Sequence, residues 1–188
     1  MTRLFLVRNA EAAGRWWEGP SDPGLSRFGR SQADQCAQRL LDIGRLKIIS
    51  SPALRAKETA EPAANLQREK VMIEPRIATP PIPAGIASVE DWLAANFSEV
   101  ASAKWSEAQP PIRAWREQVL VAARGITADS AMFTHFAVIN AIMCFALDVD
   151  DAVICRPDYT SITELLVEGN DIRFVHQGET PIGERRPV

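Results

Sequence analysis

The sequence predicts an α/β fold, a three-layer α/β/α sandwich around a mixed, mostly parallel sheet. Three observations carry that expectation. Short runs of strand-forming residues alternate with segments of helical periodicity through the first two thirds of the chain. Two longer strand-like runs then close it, joined by a turn-rich tetrad. The 188 residues, 46% hydrophobic and 24% charged, are enough for one sizeable core and show no internal repeat. A single domain is expected over 1–188, with an irregular and helical insertion at about 75–110 and a loose tail after 178.

The elements follow in order. Leu4-Phe5-Leu6-Val7 is continuously apolar and reads as a strand covered on both faces. After a Gly/Pro/Trp-bearing loop, Ser26 caps a helix in which Phe28, Ala33, Cys36, Ala37, Leu40 and Leu41 fall at helical spacing up to Gly44. Leu46-Lys47-Ile48-Ile49 reads as a second strand. Ser50-Ser51-Pro52 reads as the capped start of a helix over 53–69, which Pro62 is expected to end or kink. Val71-Met72-Ile73 is a third strand. The proline-bearing stretch 74–109 is an excursion over the sheet's edge with one helical segment, 89–97. An amphipathic helix (112–126), a buried strand (131–133) and a strongly apolar helix (137–147) restore the rhythm. Strands at 161–167 and 172–175 then form a hairpin across Glu168-Gly169-Asn170-Asp171.

Charge and composition exclude several functions. The net charge is −3, and 17 Arg and 4 Lys are dispersed among 24 carboxylates, so no basic stripe predicts a nucleic-acid partner. No apolar run approaches the ~18–20 residues of a membrane span, and the N-terminus does not read as a secretory signal. A soluble, cytoplasmic protein without membrane contact is expected. Cys36, Cys144 and Cys155 are odd in number and widely spaced, with no Cys/His cluster, so neither a disulfide framework nor a metal or other cofactor is expected. Cys36 and Cys144 read as small core residues.

Ligands of open α/β sheets bind beyond the carboxyl ends of the strands. Three such ends are chemically distinctive: Arg8-Asn9-Ala10-Glu11, Ser50-Ser51-Pro52 with Arg55 a turn later, and Thr134-His135-Phe136. Two guanidiniums and an imidazole on one rim, with helix starts behind them, suit a phosphate group.

The joint pattern resembles the histidine phosphatase superfamily, the phosphoglycerate-mutase-like proteins. Leu6-Val7-Arg8-Asn9-Ala10-Glu11 is similar to its L-V-R-H-[GA]-E motif. Asp22, Leu25, Ser26, Gly29 and Gln32-Ala33 match its D-x-x-L-[ST]-x-x-G-x-x-Q-A segment. Ser50-Ser51-Pro52, Arg55-Ala56 and Thr59-Ala60 match its S-S-P-x-x-R-A-x-x-T-A signature, and Phe133-Thr134-His135 with Val138-Ile139 resembles its second histidine motif. The resemblance implies phosphoryl transfer through a phosphohistidine, with two arginines and a second histidine holding the phosphoryl oxygens and a carboxylate protonating the leaving group. By position, the clamp is Arg8, Arg55 and His135.

Both reacting positions depart from the family. Asn9 stands where the nucleophilic histidine is expected, and an amide nitrogen delocalised into its carbonyl does not attack phosphorus. Glu74-Pro75-Arg76-Ile77-Ala78-Thr79 resembles the family's D-x-R-[LI]-x-E stretch, with Thr79 at the acid's place. Glu74, Glu90 or Asp91 are alternative acids. Phe136, Ala137 and Asn140 also depart from the common residues after the second histidine.

The leading expectation is binding of inorganic phosphate or a small phosphorylated molecule by Arg8, Arg55, His135 and a hydrogen bond from Asn9, with transfer absent or impaired. The alternatives are a phosphomonoesterase using a non-standard nucleophile or direct water attack and a partner-binding scaffold with a vestigial pocket. Trp92, Trp105 and Trp115 read as packing residues, while Trp16-Trp17 either flanks the pocket or covers the core. Glu11 is a supporting residue that orients an arginine or a backbone amide, and His176 falls outside the site.

Overall fold

The computed structural model describes residues 1–15, 17–18, 22–97 and 103–177. Trp16 and the tail after 178 lie outside these residues. The elements run β1 (Thr2–Arg8), α1 (Arg27–Ile43), β2 (Lys47–Ser50), α2 (Leu54–Gln67), β3 (Val71–Ile73), a 3-10 turn (Pro75–Ile77), α3 (Val89–Phe97), α4 (Pro110–Arg124), β4 (Ser130–Thr134), α5 (Phe136–Ala146), β5 (Ile162–Glu168) and β6 (Asp171–Gln177).

The six strands form one sheet in the order β3-β2-β4-β1-β5-β6. β3, β2, β4 and β1 are mutually parallel, and β5 joins β1 antiparallel, so the sheet is mixed as expected. Period-two alternation sends β1 into two cores. Leu4 and Leu6 join Met132 and the buried faces of α4 and α5 on one side. Phe5 and Val7 join Ala131, Phe133 and the buried faces of α1 and α2 on the other. Helices therefore cover both sheet faces, and the apolar continuity of residues 4–7 is explained by double coverage.

Local chemistry sets the boundaries. Ser26 Oγ accepts from Gly29 N at 2.9 Å at the start of α1, and Gly44, at φ 125°, ends it. Gly169, at φ 60°, supplies the turn between β5 and β6. Cys36 and Cys144 are fully buried. The structure corrects several details. Phe28 and Leu41 are 47% and 42% exposed, because the buried stripe of α1 runs through Gly29, Ala33, Cys36, Ala37 and Leu40, and each of the two stands one residue, about 100°, outside it. α2 continues through Pro62 to Gln67. Burial of Ala60, Ala63 and Ala64 against the sheet offsets the hydrogen bond the proline removes. Ser51 is not the side-chain cap of α2: the N-cap is Ala53, and the carboxylate of Asp22 accepts from Leu54 N in its place.

The stretch after β3 also departs from expectation. It returns from the sheet's edge to the centre, where Phe97 packs among Trp92, Trp105 and Trp115 with ring centroids 5.8–6.3 Å away. These tryptophans are packing residues, and Trp115 donates its indole N–H to Ala78 O at 3.0 Å. No helix among the described residues is long and apolar enough to cross a membrane.

One close approach fixes the loop after β1. A Cβ added to Gly29 would lie 2.0 Å from the Glu11 carbonyl oxygen, inside any allowed contact. Gly29→Ala is therefore expected to lower stability by roughly 2–3 kcal/mol, read as a lower urea midpoint with an unchanged m-value.

Candidate functional site

The parallel register places the distinctive strand ends side by side. Arg8 stands opposite Thr134 in the β1–β4 pairing, and the ladder runs one residue further, with Asn9 N donating to Thr134 O at 2.8 Å. On the other side of β4, Ser51 N donates to Phe133 O at 2.9 Å. Asn9, Ser51 and His135 thus leave three adjacent strands at one level. All three are buried.

Their hydrogen bonds assign a single protonation pattern. Asn9 Nδ2 lies 2.9 Å from the Ala10 carbonyl oxygen, which only accepts, so the amide donates there and turns Oδ1 toward His135. Oδ1 is 3.0 Å from His135 Nδ1 and only accepts, so Nδ1 carries the proton. Nε2 is then the acceptor, and Ser51 Oγ, 2.8 Å away, donates to it. Burial first, then the positive charges of Arg55 and Arg8, push the imidazolium well below its usual range, in agreement with a neutral ring.

The two guanidiniums flank this imidazole in different ways. Arg55, 5% exposed at the first turn of α2, bonds Asp22 Oδ1 through Nη1 at 2.9 Å, while its Nη2 lies 3.4 Å from His135 Nδ1. With Nδ1 protonated, that second approach brings two donors together. Arg8 donates from Nη1 to Pro157 O at 2.7 Å and lies over the Tyr159 ring, 4.4 Å from its centroid, with Phe136 at 5.7 Å. Burial lowers the pKa of both arginines, and Tyr159 and Asp158 oppose that shift at Arg8 as Asp22 does at Arg55.

A cavity of about 350 Å³ opens over these groups. Arg8, Asn9, Arg55, Thr79 and His135 all border it, so the structure brings the three clamp residues and the two departed positions to one cavity. Among the described lining residues there is no carboxylate. Glu74 is held by Arg76 at 2.6 Å and borders a different cavity. Glu90 pairs with Arg15 at 3.1 Å, and Asp91 does not line the site. Among the described residues, no hydrogen bond joins the Glu11 side chain to an arginine or a backbone amide. The side chain accepts from Ser26 Oγ at 2.7 Å, supporting the cap of α1. His176 is exposed on β6, away from the cavity.

Several residues of the site carried no separate role in the sequence reading. Asp22 and Ser51 sit inside the quoted motifs, yet their partners, Arg55 and His135, are visible only in the fold. Tyr159 is the chain's one tyrosine and follows no motif. Asn140, fully buried on α5, donates to Phe136 O and Cys155 O and accepts from Ile154 N and Cys155 N at 2.9–3.2 Å. It anchors the segment that presents Pro157 O and Tyr159 to Arg8.

Residues 4–79 match the sequence profile of the histidine phosphatase superfamily (branch 1). Over 80 residues the chain is 36% identical to the probable phosphoglycerate mutase GpmB of Erwinia tasmaniensis and 38% identical to that of Yersinia enterocolitica. Each alignment covers 41% of this chain but only 37% of the relative. Solved structures resemble it over nearly its whole length. The phosphoserine phosphatase of Entamoeba histolytica in complex with 3-phosphoglyceric acid superposes with a TM-score of 0.70 at 20% identity, covering 96% of this chain and 98% of that one. YhfR of Bacillus stearothermophilus gives 0.73 at 22% identity, over 93% and 95%. A mycobacterial glucosyl-3-phosphoglycerate phosphatase with inorganic phosphate gives 0.68 at 20%, over 95% and 96%.

The neutral imidazole has a measurable consequence. Below the ordinary histidine value of 6.5 the unfolded chain binds a proton that the folded site refuses, so His135 makes stability fall as the pH drops through that value. The slope from this one group is at most about 1.4 kcal/mol per pH unit. Urea unfolding at about pH 7.5, 6 and 5 is expected to show a shallower acid loss in His135→Gln than in wild type; equal slopes would refute a buried neutral His135.

Proposed function

We propose that the chain is a member of the histidine phosphatase superfamily and that it binds phosphate or a small phosphomonoester through Arg8, Arg55 and His135, with phosphoryl transfer absent or strongly impaired. The environment of Asn9 carries this reading. Its amide is held by Ala10 O and His135 Nδ1 in the floor of the cavity, between the two arginines, where the family's chemistry requires a nucleophile. Delocalisation leaves the amide nitrogen no lone pair for attack, so the covalent step has no agent. The absence of a carboxylate among the described lining residues supports loss of the second half of the chemistry, protonation of the leaving oxygen.

Binding survives these losses. Two guanidiniums supply fixed positive charge in a partly desolvated cavity, where it counts for more than in water. Asp22 offsets part of the Arg55 charge and fixes its guanidinium beside His135. Structural neighbours whose complexes contain inorganic phosphate or 3-phosphoglyceric acid support an anion of this kind, and the small phosphorylated ligand of this chain is inferred from them by analogy.

Restoring the chemistry tests the reading. Wild type is expected to give no turnover of a generic phosphomonoester above background and a higher melting temperature in tens of millimolar phosphate or vanadate. Asn9→His is expected to create measurable turnover, and Asn9→His with Thr79→Glu to raise it by a further ~100-fold, the lower range for a positioned general acid. Efficient wild-type turnover that Arg8→Ala abolishes would establish an active phosphomonoesterase instead. Neither turnover nor a thermal shift would leave a vestigial pocket.

A further inference from the structure

The cavity has a half that a phosphoryl group does not fill. Above the floor of Arg8, Asn9, Arg55 and His135 its walls are Trp17, Pro80, Leu93, Phe97, Phe136 and Tyr159. These come from the loop after β1, the stretch after β3, α3, the first turn of α5 and the segment before β5. Resting on the phosphate reading above, we propose that the organic part of the ligand is a compact apolar or aromatic group, so that the site selects aryl or branched-alkyl phosphomonoesters over sugar and glycerate phosphates.

Polar supply argues first. Among the described lining residues, the polar groups beyond the floor are Thr79, the Tyr159 hydroxyl, the Trp17 indole N–H and Arg15, and Arg15 is already engaged by Glu18 at 3.0 Å and Glu90 at 3.1 Å. A body rich in hydroxyls or carrying a second carboxylate would leave water for walls that return few hydrogen bonds, a net loss. An apolar body loses nothing there and gains by leaving water.

Shape and placement argue second. Tyr159 and Phe136 lie against the Arg8 guanidinium, at 4.4 and 5.7 Å, so aromatic surface begins beside the anion site itself. A ring joined to phosphorus through one oxygen would meet it directly, in the offset or edge-on geometry aromatic pairs favour. The volume, about 350 Å³, is at the small end for organic ligands and suits a compact body. Leu93 and Phe97 also give the stretch between β3 and α4 a part in selecting the ligand.

Calorimetric titration with inorganic phosphate, phenylphosphonate and 3-phosphoglycerate tests the assignment, the phosphonate being chosen because it cannot be hydrolysed. Phenylphosphonate is expected to bind at least about tenfold tighter than inorganic phosphate, the equivalent of burying roughly 1.4 kcal/mol of apolar surface. 3-Phosphoglycerate is expected to bind no tighter than inorganic phosphate. Leu93→Asn and Trp17→Ser, at half-buried positions that fold without a large cavity, are expected to shrink the preference for phenylphosphonate, while Arg8→Ala weakens all three anions. Inorganic phosphate binding as tightly as phenylphosphonate, or 3-phosphoglycerate binding tightest, overturns the apolar assignment and leaves the phosphate clamp intact. No binding of any anion overturns both, as does phenylphosphonate binding that Arg8→Ala leaves undiminished.

Discussion

The parallel pairing of β1 with β4, with Arg8 opposite Thr134, is the constraint on which the site depends. Parallel strands bring their carboxyl ends to the same edge, so residues that follow them, Asn9 and His135, become neighbours although 126 positions separate them. β2 on the far side of β4 adds Ser51 at the same level, and α2 carries Arg55 back over it. The apolar alternation of β1 and β4 holds this arrangement by burying Leu4, Leu6 and Met132 under one helix pair and Phe5, Val7 and Phe133 under the other. A slip of one residue would exchange those two sets between faces and carry Arg8 away from Thr134.

Inside that frame two cations flank one neutral ring. His135 is neutral because burial and two flanking guanidiniums oppose its protonation. Asp22 relieves Arg55 from one side, and aromatic faces and a carbonyl oxygen accommodate Arg8. Each cation thus has company that offsets its desolvation. The amide of Asn9 completes the floor without adding charge, where an imidazole would compete with His135 for protons.

Much of this was legible in the sequence, for identifiable reasons. Ser26 and Gly44 delimit α1 because caps act through adjacent backbone groups, and the motif segments place Arg8 and His135 at strand ends and Arg55 on the helix after β2 because strand and helix order survive as pattern. What stayed hidden depends on contact between distant residues. Nothing near Asp22 announces that it caps α2 and grips Arg55 together, and Asn140 reads as one polar residue in an apolar helix until its four backbone partners are seen. Phe28 failed for a subtler reason: it is apolar and roughly in phase, but one residue of rotation separates the buried stripe of α1 from its flank. The excursion after β3 failed because proline-bearing irregular chain carries no periodicity that could point it back over the sheet's centre.

The loop after β1 is zipped at its base. Ser26 N bonds Glu11 O at 2.9 Å, Ala13 N bonds Gly24 O at 2.8 Å, Glu11 N bonds Gln32 Oε1 at 3.0 Å, and Gly29 admits the chain so closely that no side chain fits between. The ends of the loop are therefore joined independently of what lies between them. Doubling the length of such a closed loop costs only about 0.6 kcal/mol in closure entropy. Trp17, carried between those joined ends, is in that sense exchangeable: the wall it gives the cavity can change while Asp22, fixed on Arg55, and the floor beneath keep their geometry.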